Sequence, residues 1–403
     1  MQSRIRLHRA QAEFRASQKP FRGFVGGRGS GKSYVGAYDL LRRAERGRLY
    51  AIYAPTYPVL RDTALRSFLG IARDLSYLRD FNKSDGLITL GNGSEIIARS
   101  LDDPEHARGP NLSGAWMEEA SLVDRMGFDL VIASLREGGR QGWLSCTFTP
   151  KGRGHWTYDV FGRGDNPHAA IFHASTRDNP FLPSTFADTI SAQYTTQFAA
   201  QEVEGSFIES GGKMAKREWF RVVDAIPTGA KMVRAWDFAA TAKESADFTV
   251  GTLMCQHEKR WTVCDVVRQQ IAGGEIERLV RRIADQDGKG VNIVLEREPG
   301  SSGIIASASI IRALAGYTIR AVPVTGDKAQ RAMPLFAQAE AGNVAILRAP
   351  WNRDWLAEIE DFPPERAGHD DQVDSAALAF SQLVNSAVAM PVSFASAPGT
   401  FGM

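Results

Sequence analysis

Eight consecutive residues, Gly26-Gly27-Arg28-Gly29-Ser30-Gly31-Lys32-Ser33, have the types and the spacing to hold a phosphate. They fit the pattern G-x-x-x-x-G-K-[ST] throughout. The glycines let backbone N–H groups curl round an anion, and a helix starting there adds the partial positive charge of its N-terminus. In that geometry Lys32 reaches the β- and γ-phosphates and Ser33 binds Mg²⁺, with Arg28, Gly29, Ser30 and Gly31 lining the loop. Such a loop needs an acid at the end of a nearby strand. Leu112-Ser113-Gly114-Ala115-Trp116-Met117-Glu118-Glu119 supplies it. Glu118 then holds Mg²⁺ through water, and Glu119 orients the attacking water. Charge developing on a transferred phosphoryl group calls for an arginine. Arg108, just before Gly109-Pro110-Asn111, is the better placed, and Arg28 is the other candidate.

A second set of acids follows in chain order. Asp237 ends the apolar run MVRAW, Glu296 ends VNIVL with Glu298 two residues on, and Asp370, Asp371 and Asp374 open a last helix. Asp371 and Asp374 are three apart and share a helical face. Carboxylates converging from separate elements are what two-metal phosphodiester cleavage needs, with two Mg²⁺ or Mn²⁺ ions about 4 Å apart. Any one of these acids alone reads better as a cap or surface charge; the ordered set carries the argument. His369 is a neighbour of the acids or a surface residue. Lys213, Lys216, Arg217, Lys328 and Arg331 are candidate contacts for a nucleic-acid backbone.

The elements that position these residues read as α/β. From residue 20 to about 180, apolar strands alternate with helical stretches, the pattern of a mostly parallel sheet covered by helices. The expected fold of this part is a P-loop NTPase domain of the ASCE type. PFRGFVGG, RLYAIYAP, LSGAWMEEA and GWLSCTFTP read as strands, GLITL and SEIIARS as a hairpin, and 60–79 as an amphipathic helix. Regular signal thins from about 180 to 230. Beyond it, MVRAWDFA, FTVGTLMCQ and RWTVCDVV are three consecutive strands, the last two joined at His257-Glu258-Lys259, and strand–helix crossovers follow. That order is RNase H-like. The expected division is a P-loop domain over 1–205, a linker over 206–230, an RNase H-like domain over 231–390 and a flexible tail over 391–403.

A length of 403 residues allows two or three cores, and 43% hydrophobic with 23% charged residues excludes wholesale disorder. No apolar run reaches the roughly 18 residues of a membrane helix. Cys146, Cys255 and Cys264 lack metal-ligand spacing and read as buried thiols of a soluble protein in a reducing compartment. The net charge of +2 conceals an asymmetry: residues 1–48 carry 12 Lys or Arg against three acids, while 354–374 carry eight acids against Arg366. A basic end suggests polyphosphate or nucleic acid.

Together HRAQAEFRAS, GGRGSGKS, YAPTYPVLRDT, ARGPNLSGAWMEEA, SCTFTPKG, STRDNPFLP, RAWDFA, LEREPGSSG and HDDQVDSAALAF resemble, in this order over about residues 7–385, the large terminase subunit of tailed bacteriophages. The resemblance implies an ATP-driven motor that moves double-stranded DNA into a prohead, with a metal-dependent endonuclease that cuts concatemeric DNA. It implies that Gln11 contacts adenine, that Thr147 and Thr149 couple hydrolysis to movement, and that Arg108 acts on a neighbouring subunit's ATP. It also implies that Asp237, Glu296 and the Asp370/Asp371/Asp374 cluster are the nuclease acids. Implied partners are the portal protein, the small terminase subunit and further copies in a ring, the free chain being a monomer in the host cytoplasm and absent from the virion. Glu118 departs from the family's usual aspartate. The alternative is a P-loop helicase or translocase whose second domain binds DNA without cutting it.

Overall fold

The computed structural model describes residues 5–208, 214–238, 248–271, 273–297, 301–323, 327–362 and 369–386. Glu298, Lys213 and the expected tail lie outside them. Contacts divide the chain into one unit of Met1–Ala192 with Thr196–Gly212, and another of Gln193–Thr195 with Lys213–Met403.

The first unit runs α1 (Arg9–Ala16), β1 (Phe21–Gly26), α2 (Lys32–Arg43), β2 (Leu49–Ala54), α3 (Tyr57–Val59), α4 (Arg66–Asp74), β3 (Leu78–Asn82), β4 (Leu87–Leu90), β5 (Glu95–Ser100), β6 (Gly114–Glu118), α5 (Arg125–Ser134), β7 (Trp143–Phe148), β8 (Ala169–Ala174), α6 (Phe186–Ser191) and α7 (Thr196–Glu202). Its sheet has the order β3-β4-β5-β2-β6-β7-β1-β8. From β5 to β8 every neighbour is parallel, while β3 and β4 are antiparallel additions. Parallel pairing gathers the C-terminal ends of β1, β6 and β7 at one edge, the usual place for ligands in such sheets. β1, β2, β6 and β7 are buried almost throughout, because helices cover both faces. Arg22 of β1 is buried in this core with its charge paired to Asp39 of α2 (3.0 Å) and one terminal nitrogen donating to Ser145 of β7 (2.7 Å).

The helix expected over 60–79 stops earlier. Ser76 takes the left-handed conformation (φ 57°) and the Tyr77 N–H donates back to the Ala72 carbonyl at 2.8 Å, so the chain leaves the helix and starts β3.

The second unit runs β9 (Arg221–Val223), β10 (Lys231–Asp237), β11 (Thr249–His257), β12 (Arg260–Gln269), α8 (Gly273–Asp287), β13 (Asn292–Arg297), α9 (Ser301–Ala313), β14 (Ile319–Pro323), α10 (Lys328–Glu340), β15 (Val344–Leu347), α11 (Asn352–Asp361) and α12 (Asp371–Ser386). The sheet order is β14-β13-β10-β11-β12-β15-β9. β10, β11 and β12 form an antiparallel meander, with β13 and β14 added parallel to β10. The β11–β12 turn is tight: Glu258 and Lys259 both have positive φ, and His257 faces Arg260. The segment 206–230 is not simply a linker. Ala215 and Phe220 are buried in this unit's core, and β9 pairs with β15. The Gly- and Pro-rich composition had hidden that strand.

Candidate functional site

In the first unit the loop after β1 wraps towards the start of α2. Gly29 and Gly31 have φ of 73° and 88°, and a side chain at Gly27 would collide with the Val203 carbonyl, so glycine is required at these places. Lys32 is buried, its ammonium donating to the Gly26 and Gly27 carbonyls at 3.0 Å each. The β6–β7 register sets Glu118 opposite Thr147. As a result the Glu118 carboxylate accepts from the Ser33 hydroxyl on one oxygen and the Thr147 hydroxyl on the other. Trp116 donates its indole N–H to Thr147 at 2.7 Å, completing a chain from β6 through β7 to α2. Glu118 is fully buried. Burial and the charge of Glu119 push its pKa up to about 7, against the pull of Ser33, Thr147 and Lys32. Such a carboxylate fits a divalent cation held through water, because positive charge relieves both causes of the shift.

Glu119 follows with φ 47°, an uncommon backbone for a non-glycine residue and one that is stored at functional sites. Arg28 pairs with Glu202 at 3.2 Å and remains half exposed. Arg108 stands on an exposed loop, paired with Glu105 at 2.5 Å. Gln11 is buried at the base of the loop, its amide donating to the Gly31 carbonyl (3.0 Å) and accepting the His8 N–H (3.2 Å). Thr149 is half-buried just beyond the end of β7.

In the second unit the acids meet where β10 and β13 end and α12 begins. The pKa of Asp237 is driven well above the carboxylate range by burial first, then by Glu296, Asp374 and Asp371, with Lys328 opposing. Glu296, Asp374 and Asp371 thus stand close enough to Asp237 to act on its charge, and carboxylates of this kind suit divalent cations. Asp371 accepts the Phe248 N–H at 3.1 Å and lies 3.8 Å from His369, whose ring meets Phe248 edge-on. The first turn of α12 is held by Glu358 of α11, which accepts from the Gln372 N–H (2.7 Å) and the Val373 N–H (3.3 Å).

Two residues expected to contact a nucleic-acid backbone are engaged with these acids instead. Lys328 bonds Asp370 at 2.7 Å and Asp374 at 2.9 Å, and Arg331 bonds Asp374 at 2.8 Å and lies 3.7 Å from Glu296. Burial alone would lower the Lys328 pKa, but the bonds to Asp370 and Asp374 outweigh it and raise it. Arg217 is likewise taken up by Glu360 at 2.9 Å, and Lys216 stands 3.7 Å from Glu218. Among the described residues, no group of three His, Cys, Asp or Glu side chains is arranged to hold a metal ion as it stands.

Two family models match the chain, one described as the phage terminase large subunit over residues 18–201 and the other as the terminase RNaseH-like domain over 234–383. The chain belongs to the large terminase family. Its likeness to a curated relative, the PBSX phage terminase large subunit of Bacillus subtilis (strain 168), is 26% identity over 192 residues. That match spans 42% of this chain and 44% of the relative. Among solved structures, the large terminase of a thermophilic bacteriophage aligns over 94% of this chain and 100% of its own, with TM-score 0.66 and 14% identity. A second structure of that phage's large terminase, in complex with ADP, aligns over 93% and 99%, with TM-score 0.65 and 15% identity. At these identities the likeness is one of fold, a terminase ATPase domain followed by an RNase H-like domain.

Several residues that touch the phosphate loop of this chain were not singled out from the sequence. His8, Thr176, Asn179 and Glu202 all bond it, three of them from the end of the first unit. Thr176 and Asn179 lie within STRDNPFLP, a stretch that stood out only as part of the resemblance. The three cysteines are buried and free, as expected. Among the described residues no helix is long and apolar enough to cross a membrane.

Proposed function

We propose that the chain is the large subunit of a viral DNA-packaging motor: it hydrolyses ATP in its first unit to move double-stranded DNA into a prohead, and cuts concatemeric DNA in its second. The observation that carries this reading is that one chain of the terminase family holds both constructions, the Ser33–Glu118–Thr147 chain beside a complete phosphate loop and the four-acid cluster around Asp237. The thermophilic phage's large terminase, alike in fold, has been solved with ADP. Lys32 neutralises the β- and γ-phosphates, Ser33 and Glu118 hold Mg²⁺, Glu119 orients the attacking water, and Gln11 reads adenine. Arg108, exposed and paired with a neighbour on its own loop, is free to act on the ATP of an adjacent subunit in a ring. Thr147 and Thr149 pass the state of the site into β7.

In the second unit Asp237, Glu296, Asp371 and Asp374, with Asp370, would hold two Mg²⁺ or Mn²⁺ ions, which supply Lewis-acid charge at a phosphodiester. Lys328 and Arg331 must then give up part of their pairing. The partners of this reading are double-stranded DNA, the portal protein and the small terminase subunit, with a monomer when free and the host cytoplasm as its place. One observation favours the alternative, a translocase whose second domain binds DNA without cutting: the acids are already paired with Lys328 and Arg331. A plasmid-nicking assay in Mn²⁺, run beside an ATPase assay, separates the two. Asp237→Ala should abolish nicking and spare ATP turnover, while Lys32→Ala should do the reverse. Nicking undiminished in both Asp237→Ala and Asp371→Ala would leave the translocase reading.

A further inference from the structure

Six successive carbonyls of the phosphate loop each carry a side-chain donor. Lys32 takes those of Gly26 and Gly27, Thr176 takes Arg28 (2.7 Å), Asn179 takes Gly29 (2.6 Å), His8 takes Ser30 (3.0 Å) and Gln11 takes Gly31 (3.0 Å). A carbonyl only accepts, so His8 carries its proton on Nε2 in this contact. The Asn179 amide is oriented as well, because its Oδ1 accepts the Phe181 N–H at 3.0 Å and leaves Nδ2 to face the loop. Thr176 is buried and fixed by its own N–H on the Val203 carbonyl at 2.8 Å.

The peptide unit is planar and trans, so its C=O and N–H point in opposite directions. Holding the carbonyl of one residue outward therefore aims the N–H of the next inward. Thr176 aims the Gly29 N–H, His8 aims Gly31, and Gln11 aims Lys32. Asn179 fixes the Gly29–Ser30 unit, whose N–H makes a 3.2 Å bond to Gly27 within the loop. The donors at Thr176 and Asn179 stand 148 and 150 residues from the carbonyls they hold.

We infer that Thr176 and Asn179 are positioning residues for the nucleotide phosphates, acting through the loop carbonyls to pre-form its cradle of N–H groups. This rests on the ATP reading above. Preorganised donors lose little freedom when the anion arrives, so removing one clamp weakens binding without weakening the fold to the same degree.

The test measures the Kd of a fluorescent ATP analogue, steady-state KM and kcat, and the nucleotide-free melting temperature. The variants are Thr176→Val, Thr176→Ser, Asn179→Ala and Lys32→Ala. Thr176→Val and Asn179→Ala should each weaken binding and raise KM about tenfold, equal to about 1.4 kcal/mol, while the melting temperature stays within about 2 °C. Thr176→Ser, which keeps the hydroxyl, should bind as the wild type does. If Thr176→Val fails to fold, half-buried Asn179 still gives the answer. Unchanged Kd in the clamp variants beside lost binding in Lys32→Ala would overturn the inference, as would a lower melting temperature with unchanged Kd. If Lys32→Ala binds as well as wild type, the ATP reading itself has failed.

Discussion

Thr147→Val removes one hydroxyl from the middle of the Trp116–Thr147–Glu118 chain and keeps its volume. All three side chains are fully buried, so water cannot replace what is lost. Two deficits follow. The Trp116 indole N–H, now 2.7 Å from a methyl group instead of an oxygen, is left unsatisfied, which costs about 1–3 kcal/mol. The Glu118 carboxylate loses a hydrogen bond worth about 1.5–3 kcal/mol when ionised. The two share one atom and are not fully additive, so the first unit should lose about 3–4 kcal/mol at pH 8. Thr147→Ser should recover most of it. Function should move too, in a direction the electrostatics fix. Thr147 holds the Glu118 pKa down against burial, so its loss raises that pKa beyond about 7. If turnover needs ionised Glu118, the acidic limb of the kcat/KM profile shifts to higher pH. Urea unfolding at pH 8 and a pH–rate profile are the assays. A Thr147→Val chain within about 0.5 kcal/mol of wild type, with an unmoved acidic limb, would refute the reasoning.

Three further outcomes follow from the same geometry. The Glu118 pKa is raised from 4.5 to about 7, so the stability it contributes is fully present below about pH 4.5 and is lost as pH rises through about 7. This change, on the order of 3 kcal/mol, should vanish from pH-dependent unfolding in Glu118→Gln. Arg234 is buried on a bidentate pair with Asp287 (2.7 and 2.8 Å), so Arg234→Met should cost about 3–5 kcal/mol by stranding that carboxylate; Arg234→Met/Asp287→Leu should unfold at higher urea than the single variant. Arg108→Ala should abolish DNA-stimulated ATP turnover and, mixed with wild type, inhibit out of proportion to its share. Activity falling linearly with the mixing ratio would count against an arginine acting between subunits.

What was legible in the sequence was whatever is written locally. The phosphate loop is eight adjacent residues, and the acids of the second unit each end an apolar run or open a helix, so their order was visible before their meeting point. The three-strand meander and its turn at Glu258-Lys259 were readable for the same reason. β8 was not read, because it is an edge strand, half-exposed along most of its length, and so lacks an unbroken apolar run. β9 was hidden by its three-residue length among turn-forming residues. The contacts from Thr176 and Asn179 join positions some 150 residues apart, and no local pattern records such a pairing. Lys328 and Arg331 failed differently. Their spacing on one helical face was visible, and a basic pair on a helix near a nuclease-like site suggests DNA. The aspartates they bond lie more than 40 residues on, and only folding shows that the nearest phosphate-like charge is the protein's own.

The two sites share one physical device. Glu118 and Asp237 both have pKa values raised by burial first and by neighbouring carboxylates second. Each is an acid whose ionised form is costly until positive charge stands beside it. In the first unit Lys32 and the hydroxyls of Ser33 and Thr147 meet part of that need from within the loop and β7. In the second, Lys328 opposes it from the first turn of α10, while Arg331 pairs with the neighbouring Asp374. A cation entering either place therefore gains more from the buried acid than it would from an exposed one, because the acid's own desolvation has already been met by folding. The same argument orders the two sites in difficulty. At Glu118 a cation need only displace hydroxyl protons, which rotate away at little cost. At Asp374 it must displace two charged side chains, so the second unit should require higher free metal than the first before it acts.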